Sequence, residues 1–176
     1  SPQRAHLILQ VDALISRSEY GDGETLKSLM LQPRYNVAAV RAFARTDFTP
    51  QPSVETALFA FERRAVPLIH DEEYALYKDF LAFVSKDRVG EGVWRKVLSK
   101  NQLDLLTREQ GLVPARGLKS QQVSAMIAAF QQVRKDPAKL GVVRGALLAL
   151  RQEQARRESI NQAGGHHRSK SKKPRA

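Results

Sequence analysis

The side chains of this sequence that are best suited to binding an anion stand just before one predicted helix. Arg116, Lys119 and Ser120 precede an apolar periodic segment that runs from residue 123 to 130. The first turn of a helix presents unpaired backbone N–H groups and the positive end of the helix dipole, so an anion is favoured there. Three further cations stand slightly earlier and would extend this surface: Arg95, Lys96 and Lys100. The predicted chemistry is phosphate binding, which positions a nucleic acid without reading its sequence.

The C-terminal end of the chain is a second candidate for electrostatic contact. Residues 137–176 carry ten Lys and Arg against two Glu, a net charge of +8 out of +11 for the whole chain. Such a block is typical of a contact to nucleic acid, an anionic membrane or an acidic protein. A solvated helix surface or a solubilising end is the simpler alternative. The predicted nucleic-acid contacts in this segment are Arg156, Arg157, Arg168, Lys170, Lys172, Lys173 and Arg175.

No residue pattern points to catalysis or to a metal site. The sequence contains no Cys, which excludes disulfides and thiolate ligands. The run from His70 to Glu73 groups a histidine with three acids, but stabilisation of a helix N-terminus explains the acids more simply than a metal does. Neither a G-x-S-x-G elbow nor a phosphate-cradling glycine loop is present. We therefore predict no catalytic residues, no metal and no cofactor.

Length and composition predict one folded domain with a tail. The chain has 176 residues, of which 42% are hydrophobic. No apolar run approaches the roughly 18–20 residues that span a bilayer, and no signal peptide is visible. Together with the lack of Cys, this favours a reducing intracellular location, in the cytoplasm, nucleus or nucleoid. Since the first residue is Ser and not Met, we expect a processed or excised piece of a longer product.

The apolar periodicity predicts an all-α fold of about seven to nine helices. The only candidate strand, residues 66–70, contains a proline that argues against a central position. We expect an N-terminal helical region over 1–97, a helical hairpin with a long last helix over 98–160 packed on it, and a disordered basic tail over 161–176. The predicted helices cover about 4–17, 26–31, 36–46, a segment capped by Ser53, 72–87, two helices within 98–130, and Pro137 to about Ser159.

Residues 98–130 carry the clearest local signals. Ser99 and Gln102 match a capping box, and Gly111 stands where a helix needs a left-handed C-terminal residue. The pattern resembles a SAP motif, a small helix–loop–helix DNA-binding module, and its layout is similar to the SAP-type segment of a group of DNA-repair nucleases. The departures are Val123 in place of the usual Leu and Gln122 in place of a common acid. The matching elements are Leu103, Leu106, Gly111, Leu112, Gly117 and Lys119.

An ordinary helical hairpin packed into the core would show the same leucines and caps. The resemblance implies a non-enzymatic DNA-binding domain that contacts the phosphate backbone, with DNA favoured over RNA. The alternatives are an RNA-binding helical nucleoprotein or RNA chaperone, and a protein-interaction module of a replication, conjugation or secretion assembly with an acidic protein partner. The sequence leaves the oligomeric state open.

Overall fold

The computed structural model describes residues 4–11, 15–18, 21–86, 91–118 and 121–168, with the backbone alone for 15–18, 21–24 and 163–168. Its described part contains five strands and seven α-helices in mixed order. The strands are β1 (Arg4–Gln10), β2 (Ile15–Ser18), β3 (Gly21–Glu24), β4 (Tyr35–Phe43) and β5 (Thr56–Arg63). The helices are α1 (Leu26–Leu31), α2 (Tyr74–Val84), α3 (Gly92–Arg95), α4 (Lys100–Gln110), α5 (Val123–Val133), α6 (Pro137–Val143) and α7 (Ala146–Arg168).

The first half of the chain forms two antiparallel sheets. One has three strands in the order β1-β5-β4, and the other is the β2-β3 hairpin. Ala57, Phe59 and Phe61 of β5 are buried on one face of the three-stranded sheet and form a small core of their own. The strand β4 changes register between Ala39 and Arg41, a bulge of the kind that adds local twist.

The all-α prediction is therefore wrong, because the described residues up to Arg63 contain five strands, although the helix predicted at 26–31 is confirmed as α1. The segments predicted as helices near 4–17, 36–46 and after Ser53 contain β1, β4 and β5. In β5, Leu58 and Ala60 are half-buried on the face opposite Phe59, so the sequence shows apolar residues at nearly every position. A short apolar run of this kind does not distinguish a strand with two covered faces from a buried helix. The candidate strand at 66–70 is a loop.

The helices from α2 onward share one apolar core around α2. Tyr77, Phe80 and Phe130 pack edge to face or tilted, with ring centroids 5.4 and 5.8 Å apart, and Phe80 also contacts Trp94 at 6.1 Å. Leu29 of α1 is fully buried in the same cluster. Helix α1, which precedes β4 in the chain, therefore packs against the helical part. None of the helices in the described ranges is both long and apolar enough to cross a membrane.

The predicted last helix is two helices. Pro137 occupies the first turn of α6, as expected, with Asp136 as the N-cap. Gly145 then adopts a left-handed φ of 78° and separates α6 from α7. Helix α7 continues to Arg168, beyond the predicted start of a disordered tail at residue 161. The rest of that tail, 169–176, lies outside the described residues, and the proposed division into an N-terminal region, a hairpin region and a tail stays a prediction.

Candidate nucleic-acid interface

The predicted hairpin exists, and its first helix ends as the sequence indicates. The Ser99 side chain accepts a hydrogen bond from the Gln102 N–H, and the Gln102 side chain accepts one from the Ser99 N–H, which confirms the capping box. Gly111 closes α4 in the left-handed conformation at φ 67°. Leu112 is fully buried behind it, and its N–H donates to the Leu106 carbonyl. These contacts stabilise the hairpin, but they do not indicate which ligand it binds.

A buried glutamine that the sequence analysis missed shapes the loop between α4 and α5. Gln121 has no exposed surface. Its Nε2 donates to the carbonyls of Val113 at 2.7 Å and Gly117 at 2.8 Å, and its Oε1 accepts from the Val113 N–H at 3.0 Å. The loop is thus held by three hydrogen bonds to one side chain. Helix α5 begins at Val123, and Gln122 is its N-cap.

The predicted contact residues near the hairpin are exposed where they are described. Arg95 ends α3 and pairs with Glu91 at 3.2 Å, an i,i+4 ion pair. Lys96 and Lys100 are exposed on either side of the turn into α4, and Arg116 is exposed in the 3₁₀ turn that follows Val113. Lys119 and Ser120, on which the phosphate prediction depended most, lie outside the described residues.

On α7 the predicted cations are separated from the hairpin in sequence and stand on an exposed helix surface. Arg156 is exposed, and Arg157 forms an ion pair with Glu153 one turn earlier. Arg168 is the last residue of α7, with only its backbone described. Lys170, Lys172, Lys173 and Arg175 lie outside the described residues. The part of the interface assigned to the tail therefore stays a prediction.

A second group of cations, absent from the sequence prediction, meets where β5 ends. Arg34, Arg63 and Arg64 line a cavity of about 180 Å³ together with Ala65, Pro67 and Asp71. The sheet makes this meeting possible, because Tyr35 at the start of β4 pairs with Arg63 at the end of β5. A prediction of β4 and β5 as an antiparallel pair would have found this cluster.

Two of the three acids in the His70–Glu73 run form ion pairs within the fold. Asp71 contacts Arg34 at 2.7 Å, and Glu73 contacts Arg134 of the loop after α5 at 2.5 Å. Within the described ranges, no group of three or more His, Asp or Glu side chains could hold a metal ion. Trp94 and Tyr77 are core residues that cannot stack on a base, since Trp94 is 1% exposed and Tyr77 is fully buried.

Tyr74 borders an open apolar groove between α1, α2 and α7. The groove has a volume of about 420 Å³, and its lining includes Leu26, Met30, Tyr74 and Leu150, with Lys27, Lys78 and Arg151 among the polar lining residues. The Tyr74 hydroxyl donates to the Met30 carbonyl at 2.5 Å. Burial raises the pKa of Tyr74 above its ordinary value, and the nearby Arg34 guanidinium offsets part of this effect.

No protein-family profile matches this sequence. Mycinamicin-resistance protein MyrB of Micromonospora griseorubida is 26% identical over 142 residues, which cover 78% of this chain and 45% of that protein. In fold, the chain is similar to the crystal structure of the 23S rRNA methyltransferase ErmE, with a TM-score of 0.59 and 15% identity over 74% of this chain and 55% of that one. A dimethyladenosine transferase from Plasmodium falciparum aligns with a TM-score of 0.44 and 10% identity over 75% and 58% of the two chains. The chain thus spans about half the length of the proteins that it matches.

These similarities correct the interpretation of residues 98–130. The similarity to ErmE covers 74% of the chain, and the chain contains strands as well as helices, whereas a SAP motif would account for a hairpin alone. The prediction of a SAP-like, non-enzymatic DNA-binding domain is therefore wrong, and the preference for DNA has no support. The hairpin packs into the core around Trp94 and Phe130, within a fold that is similar to that of the 23S rRNA methyltransferase ErmE.

Proposed function

We propose that this chain is part of an rRNA methyltransferase, in which it supplies an edge of the catalytic sheet and a helical surface that contacts RNA. The observation that carries the proposal is the fold similarity to the 23S rRNA methyltransferase ErmE. The chain is also similar in sequence, over 78% of its length, to the mycinamicin-resistance protein MyrB. Nucleic-acid binding, predicted from the basic composition, fits this function with RNA as the partner.

The three-stranded sheet supports a larger assembly, because its edge strand β1 exposes apolar side chains on both faces. Leu7 and Ile8 of β1 point to opposite faces, as neighbours on a strand do, and they are 49% and 52% exposed. A strand with consecutive apolar residues is typical of a sheet covered on both sides. Strand β1 also pairs only with β5 within the described residues, so its other edge has free backbone groups. We propose that further strands pair with this edge and that helices cover both faces.

The described residues do not form a binding site for a methyl donor. Nucleotide-like cofactors bind in the crevice at the carboxyl ends of parallel strands in open α/β sheets. In the described part of the chain, every paired strand is antiparallel to its neighbour. Methyl transfer therefore depends on a segment beyond these elements, and no catalytic step is assigned to the residues described here.

The helical part presents the surface that we assign to RNA. Arg95, Lys96, Lys100 and Arg116 are exposed along α3, α4 and the loop before α5. Phosphate contacts from such cations would position the RNA, while the chemistry takes place at the completed sheet. Their contribution should weaken with salt, since each neutralised phosphate releases counterions.

The proposal can be tested with the gene product and with the isolated chain in parallel. An epitope tag added at the last codon of the gene allows the product to be purified from cells as it is made. The purified product should transfer tritiated methyl groups from S-adenosylmethionine to protein-free 23S rRNA. The 176-residue chain alone should bind RNA and transfer no methyl group. A tagged product that is folded and fails to methylate rRNA would contradict the proposal.

The name of the bacterial relative adds a second readout. MyrB is a mycinamicin-resistance protein. If this chain belongs to an enzyme of the same action, the complete gene should raise the mycinamicin concentration that inhibits a sensitive host. A deletion of the codons for residues 35–63, which removes β4 and β5, is the matched negative control.

A further inference from the structure

We infer that the cavity lined by Arg34, Arg63 and Arg64 is a binding site for a backbone phosphate of the RNA. The inference rests on the proposed function for the identity of the polymer, but the site itself follows from the side chains at the end of β5. The cavity lies apart from the hairpin cations, since it is built by the turn after α1, the end of β5 and the loop before α2.

The charge of this cavity favours an anion. Its lining contains three arginines and one acid, Asp71. Asp71 contacts Arg34 at 2.7 Å and is 70% exposed, so it neutralises one guanidinium from the solvent side. Within the described residues, no carboxylate forms an ion pair with Arg63 or Arg64. Guanidinium groups present planar pairs of N–H donors that match phosphate oxygens, which makes this cluster suited to phosphate.

Two of the three arginines are held in place by contacts other than ion pairs. The Arg34 guanidinium stacks on the Tyr74 ring, 3.8 Å from its centroid. Its Nε is buried and has no hydrogen-bond partner among the described residues. Arg64 donates from its Nε to the Gln32 carbonyl at 2.8 Å, which leaves its terminal nitrogens for another acceptor.

The backbone around the cavity is tied together, so the cluster does not depend on a loose loop. The Arg64 N–H donates to the Arg34 carbonyl at 2.8 Å, and the Leu68 N–H donates to the Pro33 carbonyl at 2.8 Å. The volume of about 180 Å³ corresponds to about six water molecules at liquid density, enough for a phosphate group with part of its hydration. A buried donor without a partner, two preorganised guanidinium groups and this space together define an anion site.

The test uses the complete 176-residue chain and a short fluorescein-labelled RNA hairpin taken from 23S rRNA, titrated by fluorescence anisotropy at several salt concentrations. Arg63→Gln removes a cation that has no structural partner among the described residues. We expect it to weaken RNA binding about tenfold, as loss of one charge-assisted contact does, and to reduce the slope of log affinity against log salt by about one. Asp71→Asn removes the competing acid and should strengthen binding.

Arg108→Gln is the matched control, because Arg108 is an exposed arginine of α4 that does not line the cavity. It should bind RNA as the unchanged chain does. Melting temperatures of all variants establish that each is folded. An affinity and salt slope unchanged in both Arg63→Gln and Asp71→Asn would overturn the site. The site would also be overturned if Arg63→Gln weakened binding of oligoglutamate and left binding of RNA unchanged.

The outcome separates this inference from the proposed function. If the unchanged chain binds RNA and the cavity variants bind equally well, the cavity inference fails while the proposed function stands. If the unchanged chain does not bind RNA at either low or high salt, both fail. If the tagged gene product methylates rRNA and Arg63→Gln weakens RNA binding by the isolated chain, both are supported.

Discussion

The carboxylate of Asp79 on α2 accepts a hydrogen bond from the backbone N–H of Leu147 in the first turn of α7, at 3.0 Å. Its other oxygen accepts one from the Gly145 N–H at 2.8 Å. A side chain 66 residues away in sequence thus performs the role of an N-cap for α7, at the end of the helix where negative charge is favourable. This contact also fixes α7 against α2, the helix at the centre of the core.

Replacing Asp79 by Ala should destabilise the fold by about 1–2 kcal/mol, the range for loss of an N-cap with a charged acceptor. Urea unfolding monitored by circular dichroism measures this loss. Amide hydrogen exchange at residues 145–149 should accelerate more than exchange in α4. Asp104→Ala is the control, because Asp104 is an exposed acid of α4 and its loss should change the free energy of unfolding by less than about 0.5 kcal/mol.

Gln121 is the polar residue on which the loop between α4 and α5 depends. Gln121→Ala would leave the Val113 N–H and two carbonyls without partners in a partly buried loop. We expect a loss of about 2–4 kcal/mol in the free energy of unfolding. Gln122→Ala, next along the chain, exposed and without a capping hydrogen bond from its side chain, should cost much less. Equal effects of the two substitutions would contradict the structural role of Gln121.

Gln121→Glu sharpens the same test through its pH dependence. The carboxylate would face the carbonyls of Val113 and Gly117, which now accept hydrogen bonds from the Gln121 amide. Two acceptors facing a negative charge are unfavourable, whereas a protonated carboxyl can donate to one of them. The variant should therefore be less destabilised at acidic than at neutral pH when each is compared with the unchanged chain at the same pH.

The pattern of correct and wrong predictions follows from how each element is buried. Helix α4 was predicted within a few residues because it buries one apolar stripe and exposes most of its other side chains. Strand β5 was read as a helix because Leu58 and Phe59 are both at least half-buried on opposite faces, which removes the alternation that marks a strand. Strand β4 was misread because three alanines within it favour a helix locally, and only pairing with β5 overrides that preference.

The site was harder to predict than the helices for a different reason. Capping residues such as Ser99 and Gly111 act on their near neighbours, so a short window of sequence reveals them. The cluster of Arg34, Arg63 and Arg64 combines residues from a turn and a strand end that only the β4–β5 pairing brings together. The burial of Gln121 could not be predicted from the sequence either, because polar residues are usually exposed. Its burial is favourable only because the loop supplies its hydrogen-bond partners.

Burial of the core residue Tyr77, with partial burial of Tyr74, predicts a loss of stability in alkaline solution. Burial raises the pKa of Tyr77 well above its ordinary value, with a smaller contribution from Tyr74, whose own pKa burial also raises. In the unfolded chain both titrate near about 10. Above that pH the unfolded chain releases protons that the folded chain retains. The stabilisation is thus complete below about pH 10 and declines as pH rises, by at most about 1.4 kcal/mol per pH unit for each group.

Tyr77→Phe isolates the larger of these contributions. The variant loses the hydrogen bond to the Leu29 carbonyl, which should cost about 1 kcal/mol at neutral pH. Above pH 10 its free energy of unfolding should fall less steeply than that of the unchanged chain, so the two curves converge. Urea unfolding across this pH range measures both effects. Parallel curves would show that Tyr77 does not carry the alkaline sensitivity.

The exposed strand β1 provides a test of the proposed larger sheet. A polar substitution on β1 should change stability more in the complete gene product than in the isolated chain. Ile8 is 52% exposed in this structure, so Ile8→Thr, which keeps the β-branched side chain, should change the free energy of unfolding of the 176-residue chain by less than about 0.5 kcal/mol. If the sheet is covered in the complete gene product, the same change places a hydroxyl in an apolar interface and should cost about 1–3 kcal/mol there. Val66→Thr, at a loop residue that is 78% exposed, should be neutral in both settings.

Urea unfolding of the isolated chain, together with melting temperatures of the tagged product, measures the difference. Equal, small effects of Ile8→Thr in both would show that no segment covers this face of β1, and the proposed completion of the sheet would then be wrong.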